Sequence, residues 1–176
     1  MGVGHRDART HWPATGGLFQ APDKPMNWSQ RLTELGLALP PVATPAGAYL
    51  PAVHSGSLVF TAGQIPLVDG VLAATGKLGA EIDTEHGQEL ARTCALNALA
   101  AVDGLVGLDA VVRVVKLVGF VASAPGFTAQ PAVLNGASEL LGAVFGAAGA
   151  HARSAVGVAE LPMGAPVEVE LVVEVS

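Results

Sequence analysis

A chain with a single cysteine, Cys94, cannot form an internal disulfide. That cysteine sits inside a helical pattern, which makes it a small core residue rather than a nucleophile, and such usage fits a reducing, cytoplasmic setting. Basic residues are scarce as well: nine Lys and Arg against fifteen Asp and Glu leave a net charge of −6. No basic face is then available to neutralise a phosphate backbone, so nucleic acid is not expected as a partner. No uninterrupted apolar run approaches the ~20 residues that a membrane-spanning helix needs, so no membrane partner is expected either. The five histidines (His5, His11, His54, His86 and His151) are scattered without a second ligand at metal spacing, so no metal site is indicated. The glycines around Gly76 and Gly79 lack the Lys-Ser or Lys-Thr that completes a phosphate loop, and no cofactor is expected.

What the chain has is alanine, glycine and valine, with 51% hydrophobic residues over 176 positions. That is enough for one well-buried domain and too little for two of ordinary size. Residues 1–25 are broken by glycine and proline, show no sustained periodicity and read as an extension. The domain is expected over residues 26–176. Asn27 is suited to cap a short helix from Trp28 to about Gly36, with Trp28, Leu32 and Leu35 on one face. Tyr49–His54 and Ser57–Gln64 read as a hairpin turning at Ser55-Gly56. A polar loop over 67–83 follows, and Thr84 can cap a helix to about Val106 with Leu90, Cys94, Ala98 and Val102 inward. Val111–Ala122 is a β-branched strand, and Pro131 to about Ala147 is a second long helix with Leu134, Leu141 and Phe145 inward.

The stretch from His151 to the C terminus is the most informative. Two strand-like flanks, the first running to Val158 and the second from Val167, are joined by Pro162-Met163-Gly164-Ala165-Pro166, so they read as neighbouring strands. Arg153 and Glu168 are then expected to approach one another. A guanidinium beside a carboxylate is either an anion clamp with an attached base or a structural ion pair, and spacing alone leaves both open. In the last strand Val167, Val169, Leu171, Val173 and Val175 share one face, and Glu168, Glu170 and Glu174 the other. The pattern is α+β: a mixed β-sheet with two helices packed on one face. Two helices cover only one side of a sheet, so association through the open side is expected.

The segment from His151 to Leu171 resembles the signature of the YjgF/RidA family, also known as endoribonuclease L-PSP: Ala-Arg-Ser, an alternating strand, Leu-Pro and a Glu-bearing last strand. Tyr49, fifteen positions before Gln64 within Thr61-Ala62-Gly63-Gln64-Ile65-Pro66, is similar to the family's Tyr and its Ser-Gly-Gln-Ile-Pro strand. Asn135 and Glu139 also look like family positions, and the resemblance spans about residues 45–175. It implies a chorismate-mutase-like α+β fold and a homotrimer, in which three sheets form a barrel with clefts at the subunit interfaces. The activity it implies is hydrolytic deamination of reactive enamine or imine intermediates to 2-oxo acids and ammonia. Arg153 would bind the substrate carboxylate and Glu168 would activate water, making these the catalytic pair. Tyr49 would close the cleft, although a packed aromatic reads equally well, the Gly63 N–H would contribute a donor, and Asn135 a polar wall.

Three departures matter. Ala62 stands where the familiar deaminases carry Ser before Gly-Gln, Ala155 where Cys is frequent, and Gly47-Ala48-Tyr49-Leu50-Pro51 differs from the usual wording around the Tyr. Besides the deaminase, a trimeric metabolite-binding or regulatory protein stays open, favoured by Ala62. An endoribonuclease is the third reading, with the acidic charge and the lack of a paired His set against it.

Overall fold

The computed structural model describes residues 27–44 and 47–176, so the extension expected over residues 1–25 lies outside the described residues. Asn27 does cap helix α1 (Trp28–Glu34), its side chain accepting from the Gln30 N–H. Trp28 fastens this short helix to the rest. Its indole donates to the Val111 carbonyl at 2.8 Å and stands edge-on to Phe145 with ring centroids 5.1 Å apart.

Strands β1 (Ala52–Ser55) and β2 (Leu58–Thr61) form the expected hairpin, although the turn falls one residue later, at Gly56 and Ser57. The segment read as a polar loop holds a second, minimal hairpin, β3 (Leu67–Val68) and β4 (Val71–Leu72). Asp69 and Gly70 between them both take positive φ, 52° and 79°, the backbone that tight hairpin turns select. Helix α2 (Thr84–Val106) is capped by Asp83 rather than Thr84, because the Asp83 carboxylate accepts from the His86 N–H at 2.8 Å. Strand β5 (Val111–Ala122) has the expected bounds. Helix α3 (Gln130–Phe145) ends two residues earlier than expected and runs on as a 3₁₀ turn over Gly146–Gly149. Strands β6 (Ala152–Val158) and β7 (Val167–Val175) complete the chain.

The five-stranded sheet has the order β1-β2-β7-β5-β6. β5 and β6 are parallel, joined by the α3 crossover, and every other pair is antiparallel. The last strand therefore does not fold back beside β6 as a hairpin; it inserts between β2 and β5. This corrects the expectation that Arg153 and Glu168 lie on neighbouring strands. Arg153 is in register with Leu117 of β5, and Glu168 with Phe120 of β5. Three residues separate those partners, so the two side chains leave opposite faces of the sheet. Among the described residues no ion pair joins them.

Helices α2 and α3 cover the face formed by Val167, Val169, Leu171 and Val173, all fully or almost fully buried. The span Gln130–Gly149 is long and apolar enough to pass for a membrane helix, yet Val133, Leu134, Leu140, Leu141 and Val144 are buried in the core. Register places Val53, Phe60 and Val172 on the opposite face, with Phe120 and Val156, interleaved with Glu168, Glu170 and Glu174. Phe60 is 39% exposed there and Val156 43%, so the open face is partly apolar.

The two long helices approach closely at one glycine. A Cβ at Gly136 of α3 would collide with the Gln88 carbonyl of α2, while Gln88 Nε2 donates to the Ala132 carbonyl at 2.9 Å. Because the obstacle is backbone, Gly136→Ala is expected to cost about 3 kcal/mol. Gly142, in the same helix, has nothing within contact of an added Cβ. Gly142→Ala is expected to stabilise by about 0.8 kcal/mol. Urea denaturation of both variants checks the pair, and equal effects would contradict the packing described.

Candidate functional site

Arg153 projects from β6 over the N-terminal half of α3 and is half-buried. Its Nη1 donates twice, to Asn135 Oδ1 at 2.9 Å and to Ser138 Oγ at 3.1 Å. Nη2 donates once, to the Pro131 carbonyl at 3.2 Å. A guanidinium carries five N–H groups. Among the described residues Nε takes no partner, so Nε–H and the remaining Nη2–H form a fork suited to a planar two-oxygen anion. Burial lowers the Arg153 pKa, but from so high a starting value that the group stays charged.

Asn135, expected as a polar wall, stands beside Arg153 as an acceptor for its Nη1. Glu139, the other helix residue in the resemblance, is exposed at the surface of α3. Two residues escaped the sequence analysis. Ser138 lies three residues after Asn135 on the same helix face. His151 lies two residues before Arg153, hence on the same side of the strand. The His151 Nε2 is 3.0 Å from Ser138 Oγ, and its Nδ1 is 2.6 Å from the Gly149 carbonyl. Ser138, Gly149, His151 and Arg153 line a shallow cavity of about 320 Å³. The signal was available as alternate residues His151 and Arg153 entering a strand, but it carried no partner in the sequence.

The other expected residues gather elsewhere. Tyr49 and Gly63 line a second cleft of about 230 Å³ with Pro51, Gln64, Ile65 and Met163. Tyr49 is 51% exposed, so it is not a packed core aromatic. The Glu168 carboxylate lies against Gly63 where a Cβ would stand, so glycine there is what lets the carboxylate approach the backbone. Ala62 and Gln64 give their N–H groups to the Pro51 and Val169 carbonyls at 2.8 Å and 2.9 Å. The Gly63 N–H has no such acceptor among the described residues. Burial first, and the nearby Glu170 second, raise the Glu168 pKa above the ordinary carboxylate range. Cys94 is fully buried, with its thiol donating to the Val167 carbonyl and its pKa pushed well up by burial, in keeping with a core role.

Within the chain the five expected residues thus form two groups. Arg153 and Asn135 lie at the β6 edge of the sheet, while Tyr49, Gly63 and Glu168 lie toward the β1–β2 side. Among the described residues no cluster of three His, Cys, Asp or Glu side chains could hold a metal ion.

Comparison with known proteins follows the same outline. A family profile described as Endoribonuclease L-PSP matches residues 41–175. The chain is 48% identical over 147 residues to Protein TCP17 of Trypanosoma cruzi, covering 82% of this chain and 92% of that relative. It is similar in structure to Atu1372 of Agrobacterium tumefaciens, a protein of unknown function, at a TM-score of 0.77 and 44% identity, covering 85% of this chain and 93% of that one. Escherichia coli TdcF, solved with bound serine, superposes at a TM-score of 0.52 with 29% identity, over 77% of this chain and 94% of that one. The YjgF gene product of the same organism, at 29% identity and a TM-score of 0.53, extends the likeness over 76% of this chain and 92% of that one. With a profile matched over most of its length and a relative sharing close to half its residues, the chain belongs to the endoribonuclease L-PSP family, the group that also carries the YjgF and RidA names.

Proposed function

We propose that this protein hydrolyses small 2-imino or enamino acids to 2-oxo acids and ammonia in clefts that two neighbouring copies build together. The observation that carries this reading is the Arg153 guanidinium: three of its N–H bonds are fixed by Asn135, Ser138 and Pro131, and the other two take no partner among the described residues, which leaves them for a carboxylate. The serine bound by TdcF carries such a carboxylate.

Arg153 and Glu168 are on opposite faces of one sheet, so one copy does not supply the whole constellation. The topology supports a remedy. Arg153 sits on β6 at one sheet edge and Tyr49 just before β1 at the other. A ring of copies brings the β6 edge of one beside the β1–β2 side of the next and covers the apolar part of the open face. A homotrimer closing as a barrel satisfies both.

In that cleft Arg153 grips the carboxylate, and the Gly63 N–H and the Tyr49 hydroxyl orient the rest of the substrate. Glu168 takes a proton from water as the oxygen attacks the C=N carbon. Glu168 returns that proton to the nitrogen, then takes the carbinolamine's hydroxyl proton as the C–N bond breaks, so that the C=O forms and ammonia leaves. Burial makes Glu168 a stronger base than a solvated carboxylate, which suits the task. A second reading is a binding protein without turnover. Ala62 supports it, because a Ser hydroxyl at that place could hold water or substrate and a methyl group cannot.

Coupling a serine or threonine dehydratase to the purified protein, with semicarbazide trapping the imine, tests the reaction. Wild type is expected to accelerate 2-oxo acid release, and Arg153→Ala to lose roughly 100-fold, as the loss of two charge-assisted hydrogen bonds implies. Arg153→Lys recovers little, since an ammonium has no fork. Tight carboxylate binding by wild type with no ammonia released would favour the binding protein instead.

Glu168 yields a separate expectation. Its folded pKa is raised, so it lowers stability once ionised: stability is highest below the unfolded pKa and falls as pH rises through the folded one. Glu168→Gln is therefore expected to melt about 2 °C above wild type at pH 7, with the gap closing toward pH ~4. The same substitution abolishes turnover, and in wild type turnover falls as acid protonates Glu168, beginning above the ordinary carboxylate range. Thermal melts against pH, read beside the coupled assay, decide it.

A further inference from the structure

No chemical step above uses the Ser138 or His151 side chain, yet the donor and acceptor inventory orders them into one directed chain. A guanidinium only donates, so Ser138 Oγ must accept from Arg153 Nη1 at 3.1 Å. A carbonyl only accepts, so the His151 Nδ1, 2.6 Å from the Gly149 oxygen, must carry the proton. In the neutral imidazole that leaves Nε2 bare, 3.0 Å from the Ser138 hydroxyl, which has its single hydrogen free to donate. Each member is satisfied in one direction only: Arg153 to Ser138, Ser138 to His151, His151 to Gly149. Burial, the largest influence, holds His151 below its ordinary pKa. The Gly149 bond acts the other way, and the Arg153 charge reinforces burial.

We propose that His151 is a positioning residue for the carboxylate site, acting through the Ser138 hydroxyl to hold Arg153 so that its Nε edge faces the ligand. This rests on the reading of Arg153 as the partner of the substrate carboxylate. With Nη1 pinned between Asn135 and Ser138, the guanidinium plane cannot turn about its long axis, and the fork is set before the ligand arrives. Loss of His151 frees the Ser138 hydroxyl to rotate and the guanidinium to follow. Ser138 and His151 also line the cavity beside Arg153, so the supporting chain and the guanidinium share one wall of it.

Isothermal titration with pyruvate, a small 2-oxo carboxylate, tests the chain in wild type, Ser138→Ala, His151→Phe, His151→Gln and the double variant Ser138→Ala/His151→Phe. Each of the two single disruptions is expected to weaken pyruvate binding roughly tenfold. The double variant is expected to bind no more weakly than either, because the residues act as one unit. His151→Gln, whose amide oxygen can accept the Ser138 proton, is expected to recover most of the affinity. A long-range ¹H–¹⁵N spectrum of wild type should show the His151 proton on Nδ1. Wild-type binding with unchanged single variants, losses that simply add, or a proton on Nε2 overturns the proposal while leaving the Arg153 reading in place. Failure of wild type to bind pyruvate removes both.

Discussion

Strand β7 hydrogen-bonds to β2 on one side and to β5 on the other, and the rest of the molecule is arranged around that insertion. Helix α2 carries the chain from β2 to β5, which run in the same direction with a one-strand gap between them, and the last nine residues of regular structure fill it. The strict alternation of β7 then decides which side of the sheet is dry. Its odd-numbered residues, from Val167 to Val175, meet the helices, and its even-numbered ones, three of them glutamates, are turned the other way. A slip of one residue would bury those carboxylates under α2, so the register is held by the cost of desolvating charge as much as by the gain from burying valine.

The same alternation separates the two halves of the candidate site. Glu168 is carried out on the open face and comes to rest against Gly63, while Arg153 rises on the helix face among the polar side chains of α3. Each half keeps a donor that takes no partner among the described residues, the Arg153 Nε–H in one and the Gly63 N–H in the other. Neither alone offers both an anion grip and a base, and that is why the proposed chemistry is tied to association between copies.

Much of the fold was legible because its signals are local. The β-branched run of β5 and the four-residue apolar spacing of α2 fixed those elements almost to the residue, and Asn27 announced α1. The α2 cap was misplaced by one position because Asp83 and Thr84 are both good caps and only the backbone reveals which side chain reaches His86. Asp69-Gly70 between two valines was a readable hairpin signal that polarity obscured. Strand order was not legible. Pro162 to Pro166 has turn chemistry whether it joins neighbours or steps over β5, and only the pairing distinguishes the cases. For the site, Arg153, Glu168, Tyr49, Gly63 and Asn135 were all named from their motifs, whereas Ser138 and His151 become visible only when helix and strand are brought together.

The glycine beneath Glu168 ties two distant positions together. An alanine at residue 63 would leave the sheet intact, since the group it displaces is the free end of a side chain rather than backbone. The carboxylate would have to withdraw from the backbone there. Residues 63 and 168 are therefore sterically coupled: only without the acid in this place does residue 63 have room for a side chain, and glycine there keeps a seat for it. Among relatives, the state of this one small position should report whether the acid beside it is still in use.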